Sequence, residues 1–272
     1  MTILIILGFI IVFSAFLLLF QRRMIYFPHK YEANYKTNLP ENIVELSYQT
    51  PQGRQIAFFI PPKIRLDISA MNLWVLFHGN ASVALDWLQL IMKVQNEKTG
   101  FLLIDYPGYG KCEGKPSAKN ISISCEYAFE ILAKHLKVEK SSLENNLNIL
   151  GYSIGAGVGL QFAVQHQVKC IILISPFTSL LDMARRSVGI PLCYLLRESY
   201  DNRARLDELA KLDNSPVVHI FHGDADDIVP FYMGQELANH HPQMIIFHPI
   251  KNADHLTILD IIGEQILKIV NK

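Results

Sequence analysis

Gly151-Tyr152-Ser153-Ile154-Gly155 follows the apolar run Leu147-Asn148-Ile149-Leu150 and precedes small and apolar residues at helical spacing. A serine between glycines at a strand-to-helix turn is the setting that pushes a hydroxyl out of a fold as a nucleophile. The turn is tight, and glycine on both sides leaves it room. A helix beginning there adds its N-terminal partial positive charge beside any developing oxyanion. So short a pattern also arises by chance. Gly155, Gly157 and Gly159 raise a nucleotide loop as a rival, but G-x-G-x-G is not the dinucleotide spacing, and small residues here suit close helix–sheet packing.

A serine hydroxyl needs a base, and the base needs an orienting acid. Where such a turn is catalytic, the acid and then the histidine follow the serine in the chain. Two downstream segments qualify: His222-Gly223-Asp224-Ala225-Asp226-Asp227 after the run 217–221, and Asn252-Ala253-Asp254-His255 after the run 244–247. Each lies just past the C-terminal end of an expected strand, where open α/β sheets place their sites. Of the ten histidines, His255 alone combines this order, a post-strand loop and a following helix. His222 suits a brace for the acid loop. His240 and His241 read as the end of a surface helix, and His135 and His166 as solvated or capping groups near helix ends. Asp224, Asp226 and Asp227 remain alternatives for the acid. With His222 they also offer a hard-cation site, but no second ligand cluster accompanies them, so no metal is expected.

An oxyanion requires backbone N–H donors. Ile154, directly after the serine, supplies one. Phe77-His78-Gly79-Asn80-Ala81-Ser82 stands at the end of another apolar run and is placed to supply a second from Asn80.

These residues need a frame to hold them. Short apolar runs at 43–48, 55–60, 73–77, 101–104, 147–150, 170–174, 217–221 and 244–247 alternate with helical stretches at 82–97, 117–136, 155–166, 233–240 and 256–270. Several runs are continuously apolar, as strands buried on both faces are. Alternating strands and helices predict an eight-stranded, mostly parallel sheet with helices on both faces. The first two runs are separated only by Thr50-Pro51-Gln52-Gly53 and therefore predict an antiparallel hairpin at the sheet edge. Residues 178–213 predict a short cap, with Leu180, Leu181, Met183, Leu192, Leu195 and Leu196 available as apolar lining.

The chain has 272 residues with 25 basic and 25 acidic side chains. A zero formal charge without a clustered basic face gives no case for nucleic acid. The Arg185-Arg186 pair reads as a solvated helix face. Cys112, Cys125, Cys170 and Cys193 show no metal or redox spacing. Residues 2–20 carry no charge and only Thr2 and Ser14 as polar residues. A helix of that length spans roughly 28 Å at about 1.5 Å per residue, near the hydrocarbon thickness of a bilayer. The basic residues Arg22 and Arg23 follow the run instead of preceding it, which favours an uncleaved anchor over a signal peptide. The expected organisation is a transmembrane anchor over 1–23 and one domain over 24–272, facing the cytoplasm by the positive-inside rule.

Phe77-His78-Gly79-Asn80-Ala81, Asp105-Tyr106-Pro107-Gly108-Tyr109-Gly110 with Gly114-Lys115-Pro116-Ser117, the Ser153 turn, and His222-Gly223 with Asp226 and Val229-Pro230 occur together. Jointly they resemble the membrane-anchored α/β-hydrolase-domain proteins, serine aminopeptidase-like or lysophospholipase-like. The resemblance covers nearly the whole chain, including Gln21-Arg22-Arg23-Met24-Ile25-Tyr26-Phe27-Pro28 after the apolar run. It implies the α/β-hydrolase fold, Asp226 as the acid in place of Asp224 or Asp227, and Asn80 with Ile154 as oxyanion donors. One departure is the Lys-Asn-Ala-Asp loop before His255, where a glycine-containing loop is common.

The expected activity is a serine hydrolase using Ser153, His255 and Asp226 on a carboxylic ester or thioester of a small or lipid-like acyl substrate. It needs no cofactor. A serine peptidase, and a non-catalytic anchored binding protein of the same fold, are the alternatives.

Overall fold

The computed structural model describes all residues except Met1, Ala33, Asn34 and residues 36–38, and no side chain of residues 2–7, 9 and 10. The strands are β1 (Val44–Thr50), β2 (Gly53–Ile60), β3 (Asn72–Phe77), β4 (Thr99–Ile104), β5 (Leu147–Tyr152), β6 (Val168–Ile174), β7 (Val217–Gly223) and β8 (Ile245–Ile250). Among the described residues these eight form one sheet in the order β1-β2-β4-β3-β5-β6-β7-β8. The β1–β2 and β2–β4 pairs are antiparallel, and every pair from β4 to β8 is parallel. The mostly parallel sheet and the edge hairpin expected from the sequence are both present.

The central strands divide their side chains by alternation. Leu73, Val75, Phe77, Ile171 and Leu173 enter one core, while Trp74, Leu76, Ile172 and Ile174 enter the other. Helices α3 (Ala118–Leu136), α5 (Ile154–Ala163), α7 (Asn202–Ala210) and α8 (Phe231–His240) cover the first face through residues such as Phe129, Leu160, Leu206 and Met233. The second is covered by α2 (Leu88–Ile91) and α9 (Ile258–Val270), with Ile91, Ile258, Ile262 and Ile266 in its core. This arrangement buries both faces of the parallel strands, which explains their continuous apolar runs.

The expected helix over 82–97 is corrected to a 3-10 turn at Ala84–Trp87 followed by the short α2. Tertiary bonds displace the helical ladder there. Ala84 N–H donates to Asp105 Oδ1 at 2.8 Å, and Gln95 and Asn96 N–H both donate to Asn271 Oδ1 at 2.8 and 3.0 Å. A short α4 (Lys140–Glu144) follows α3. The β6–β7 connection carries α6 (Leu180–Val188), a 3-10 turn at Leu192–Leu195, and α7. Ser179 caps α6 by accepting from Asp182 N–H at 3.0 Å, and Asp201 caps α7 by accepting from Ala204 N–H at 3.0 Å.

At the N-terminus, α1 runs Thr2–Ile25, longer than the apolar run that predicted it. Among the described residues no helix is long and apolar enough to cross a membrane. Met1 and most of the first ten side chains, on which the expected transmembrane helix over 1–23 depends, lie outside the described residues. The described end of α1 has a different use: Leu17 and Gln21 are buried, and Gln21 accepts from Arg197 N–H at 2.7 Å.

Candidate active site

Ser153 sits between β5 and α5 with φ 54° and ψ −118°, a conformation that L-residues adopt at a cost and that tertiary structure must enforce. Two glycines allow it. A Cβ on Gly151 would lie 2.4 Å from Gly155 O, and one on Gly155 would lie 2.3 Å from Phe77 O. Neither position accepts a larger residue without moving backbone. Ser153 N–H donates to Ile174 O at 2.8 Å, which ties the turn to the neighbouring strand.

Ser153 Oγ is 3.0 Å from His255 Nε2. On the far side of the ring, His255 Nδ1 is 2.7 Å from Asp226 Oδ2. With the carboxylate accepting from Nδ1–H, Nε2 keeps its lone pair toward the serine hydroxyl. Burial acts to raise the Asp226 carboxyl, but hydrogen bonding from His222 and His255, the His255 charge and the Val229 N–H together hold it well below the usual carboxylate range. Its Oδ1 accepts from Ile228 and Val229 N–H at 3.1 and 2.8 Å. Of the three candidate acids, Asp226 alone meets the histidine; Asp224 Oδ1 accepts from Asn252 N–H at 2.7 Å and so ties the acid loop to the base loop.

His222 is fully buried, with Nε2 2.9 Å from Val229 O and 3.5 Å from Asp226 Oδ2, the bracing place the sequence suggested. Asp254 does not point at the base. Its Oδ1 accepts from Leu256 and Thr257 N–H at 2.9 and 2.8 Å, closing the turn that leads from His255 into α9. The departure from a glycine-containing loop is thus accommodated by an aspartate turn.

Among the described residues, neither Asn80 N–H nor Ile154 N–H donates to a protein acceptor, as donors awaiting an oxyanion would be. The Asn80 side chain is engaged at both ends: Nδ2 donates to Ile25 O at 2.6 Å, and Oδ1 accepts from Phe27 N–H at 2.9 Å and Tyr109 OH at 2.7 Å. His78 beneath it is buried and stacked on Tyr106 with centroids 4.0 Å apart; burial pulls its imidazole down to about 4, so it is neutral.

Two site-supporting residues carried no sequence signal. Tyr152 OH donates to His255 O at 2.5 Å. Glu198, buried in the β6–β7 connection between the 3-10 turn and α7, accepts from Arg22 Nε at 2.6 Å, Tyr26 OH at 2.9 Å and Ala118 N–H at 2.6 Å. His166 is a correction: it is buried between Glu144 and Glu126, at 2.7 and 2.9 Å. Burial lowers its imidazole, but these acidic partners outweigh that and raise it.

Asp207, His240 and His241 bring possible ligand atoms within 4.8 Å of one another, but that carboxylate already pairs with both imidazoles, at 3.1 and 2.7 Å. The described cysteines are all free.

A cavity of about 680 Å³ opens over Ser153 and His255. Leu180, Met183, Val188, Leu192 and Leu196 of the β6–β7 connection line one side, and Leu17, Met24 and Ile25 of α1 another. Leu181 is not part of the lining, since α6 turns it elsewhere. Among the described residues, no Asp, Glu, Lys or Arg side chain borders the cavity.

Residues 73–193 match the family profile described as the alpha/beta hydrolase fold. The chain is 27% identical over 218 residues to an uncharacterised protein of Mycobacterium tuberculosis, covering 80% of this chain and 74% of that one. It is also 27% identical over 193 residues to human alpha/beta hydrolase domain-containing protein 17B, covering 70% and 61% respectively. Among solved structures, the Pyrococcus furiosus esterase Pf2001 superposes with a TM-score of 0.64 at 16% identity, covering 90% of this chain and 95% of that one. By superposition this chain has the α/β-hydrolase fold, and its residues 73–193 are similar to the family of that description.

Proposed function

We propose that the protein is a serine hydrolase that cleaves a carboxylic ester or thioester with an apolar acyl group. The observation that carries this reading is the continuous contact from Ser153 Oγ through His255 to Asp226, at 3.0 and 2.7 Å. Ser153 Oγ attacks the acyl carbon as its proton passes to His255 Nε2. The carbonyl oxygen becomes an oxyanion held by Asn80 and Ile154 N–H, each such donor contributing about 3–4 kcal/mol. Collapse expels the alcohol or thiol, which takes the proton from His255. Water, deprotonated by His255, then releases the acid from the acyl-enzyme. Asp226 holds the imidazole in the required tautomer.

The lining supports acyl chemistry over the aminopeptidase alternative. A peptide's α-ammonium group needs an acidic partner, and among the described residues no carboxylate borders the cavity. The esterase among its structural relatives agrees with this choice. Of the expected cap over 178–213, residues 180–196 cover the cavity and act as the cap, while α7 packs on the sheet. The apolar run 2–20 and the Arg22-Arg23 pair after it support reading the part of α1 ahead of Leu17 as a membrane anchor, with the domain on the cytoplasmic side. Resistance to alkaline carbonate extraction tests the anchor, and release by carbonate sinks it.

The activity test is hydrolysis of p-nitrophenyl esters by the full chain in detergent, beside Ser153→Ala. Ester cleavage that disappears in the variant, with fluorophosphonate labelling of Ser153 in the parent, is the expected result. A folded parent that neither cleaves nor labels leaves the binding-protein alternative.

A further inference from the structure

The last turns of α1 are built into the candidate site from both sides. Leu17, Gln21, Met24 and Ile25 all border the cavity over Ser153, and their i, i+4, i+7, i+8 spacing makes them one helix face. On one flank, Gln21 spans to the β6–β7 connection, donating to Leu195 O at 3.4 Å and accepting from Arg197 N–H at 2.7 Å. One position further on, Arg22 reaches the buried Glu198 at 2.6 Å. On the other flank, Ile25 O and Phe27 N–H hold both ends of the Asn80 amide, at 2.6 and 2.9 Å. A simple tether would make no such contacts. This helix bridges the cap to the loop that carries a proposed oxyanion donor.

We propose that this face of α1 is the acyl-chain subsite: a single unbranched acyl chain runs from Ser153 along α1, opposite α6, with Leu17 toward its far end. The proposal rests on the serine-hydrolase reading and names its substrate class, long single-chain acyl esters or thioesters. From Ile25 to Leu17 the helix axis covers about 12 Å at about 1.5 Å per residue, a length that short acyl groups leave unfilled. Each methylene buried along it raises kcat/KM by about fourfold, the equivalent of ordinary apolar transfer. A helix that ends in the site while its other end is the apolar run 2–20 also gives a lipid chain a continuous apolar path.

The test uses the full chain in detergent micelles and p-nitrophenyl esters from acetate through butyrate and laurate to palmitate. Leu17→Trp and Met24→Trp each narrow the α1 side of the channel. Met24 is 48% exposed, so its variant folds even where the buried Leu17 position resists the larger ring. The parent is expected to prefer laurate or palmitate. Each variant is expected to lower the laurate-to-butyrate ratio of kcat/KM by about tenfold, the scale on which a filled apolar pocket discriminates chain length. An unchanged ratio in both variants, with cleavage still dependent on Ser153, overturns the α1 subsite and leaves the hydrolase reading standing. A parent that cleaves no ester and leaves Ser153 unlabelled overturns both.

Discussion

Tyr152 donates from its phenolic hydroxyl to the carbonyl of His255 at 2.5 Å, so the residue before the candidate nucleophile holds the backbone of the candidate base. The same ring packs over Gly79, where a Cβ would lie 2.6 Å from Tyr152 Cδ1. One side chain therefore spans the Ser153 turn, the His255 loop and the loop of the proposed oxyanion donor Asn80. Tyr152→Phe keeps the ring and removes the tether. A neutral hydrogen bond contributes about 1 kcal/mol net, so urea denaturation should show a loss of that order. Ester turnover should fall further than stability does, because His255 loses its fixed backbone. Unchanged turnover would show that the loop is held by Asp254 and Thr257 alone.

Asp226→Asn keeps the shape of the site but offers an amide where a carboxylate accepts from His255 Nδ1. The imidazole then favours the wrong tautomer, and kcat should drop by roughly 10⁴-fold. Stability should change with pH as well. The folded-state carboxyl is held well below the ordinary range, so its contribution is fully present above the unfolded value of about 3.9 and is lost as pH falls toward the folded one. Acid titration of the fold at low pH should therefore be shallower in the variant. An equally steep acid transition would assign that transition to other carboxylates.

Asp105 behaves in the opposite sense. Burial raises its carboxyl to about 7, against the Ala84 N–H that it accepts from. A carboxyl raised in the folded state contributes stability that is fully present below about 3.9 and is lost as pH rises through about 7. Asp105→Asn keeps the acceptor for Ala84 N–H and cannot ionise. The variant's advantage over the parent should be larger at pH 8 than at pH 5, as read by urea midpoints at both values. A variant weaker at both would mean that the ionised carboxylate has a partner the fold depends on.

The three loops of the candidate site were legible because each combines a local pattern with a place after an apolar strand. Seven neighbouring pairs of strands then bring Ser153, Asp226 and His255 together, as chain order at strand ends implies. Choosing Asp226 over Asp224 and Asp227 was beyond spacing, since the choice depends on which carboxylate a histidine 29 residues away meets. The breakdown of the helix at 82–97 was hidden for a similar reason: its competitors, Asp105 and Asn271, are remote in sequence. Within the expected cap only the solvated helix face at Arg185-Arg186 was read; the structure makes it α6, started by Ser179 and Asp182, with Leu180, Met183, Ala184 and Val188 on the opposite, cavity-lining face. Glu198 gave no sign at all. A lone glutamate in the chain reads as a solvated charge until Arg22, 176 residues earlier, closes on it.

That pair sets the last prediction. The Glu198 side chain is 3% exposed while that of Arg22 is 58% exposed, so water screens one partner and not the other. Arg22→Met leaves a buried carboxylate with only the neutral donors Tyr26 OH and Ala118 N–H. Stripping a fully buried pair of one partner costs about 3–5 kcal/mol; with Arg22 mostly in solvent the loss should be smaller, about 1–2 kcal/mol. Glu198→Gln in the Arg22→Met background removes the stranded charge while keeping an acceptor for Ala118 N–H, and should recover part of that loss. Denaturant melts of the parent, both single variants and the double variant give the coupling directly. A coupling near zero would mean that α1 is held by Gln21 and the Asn80 amide, and that the Arg22–Glu198 contact follows from that packing.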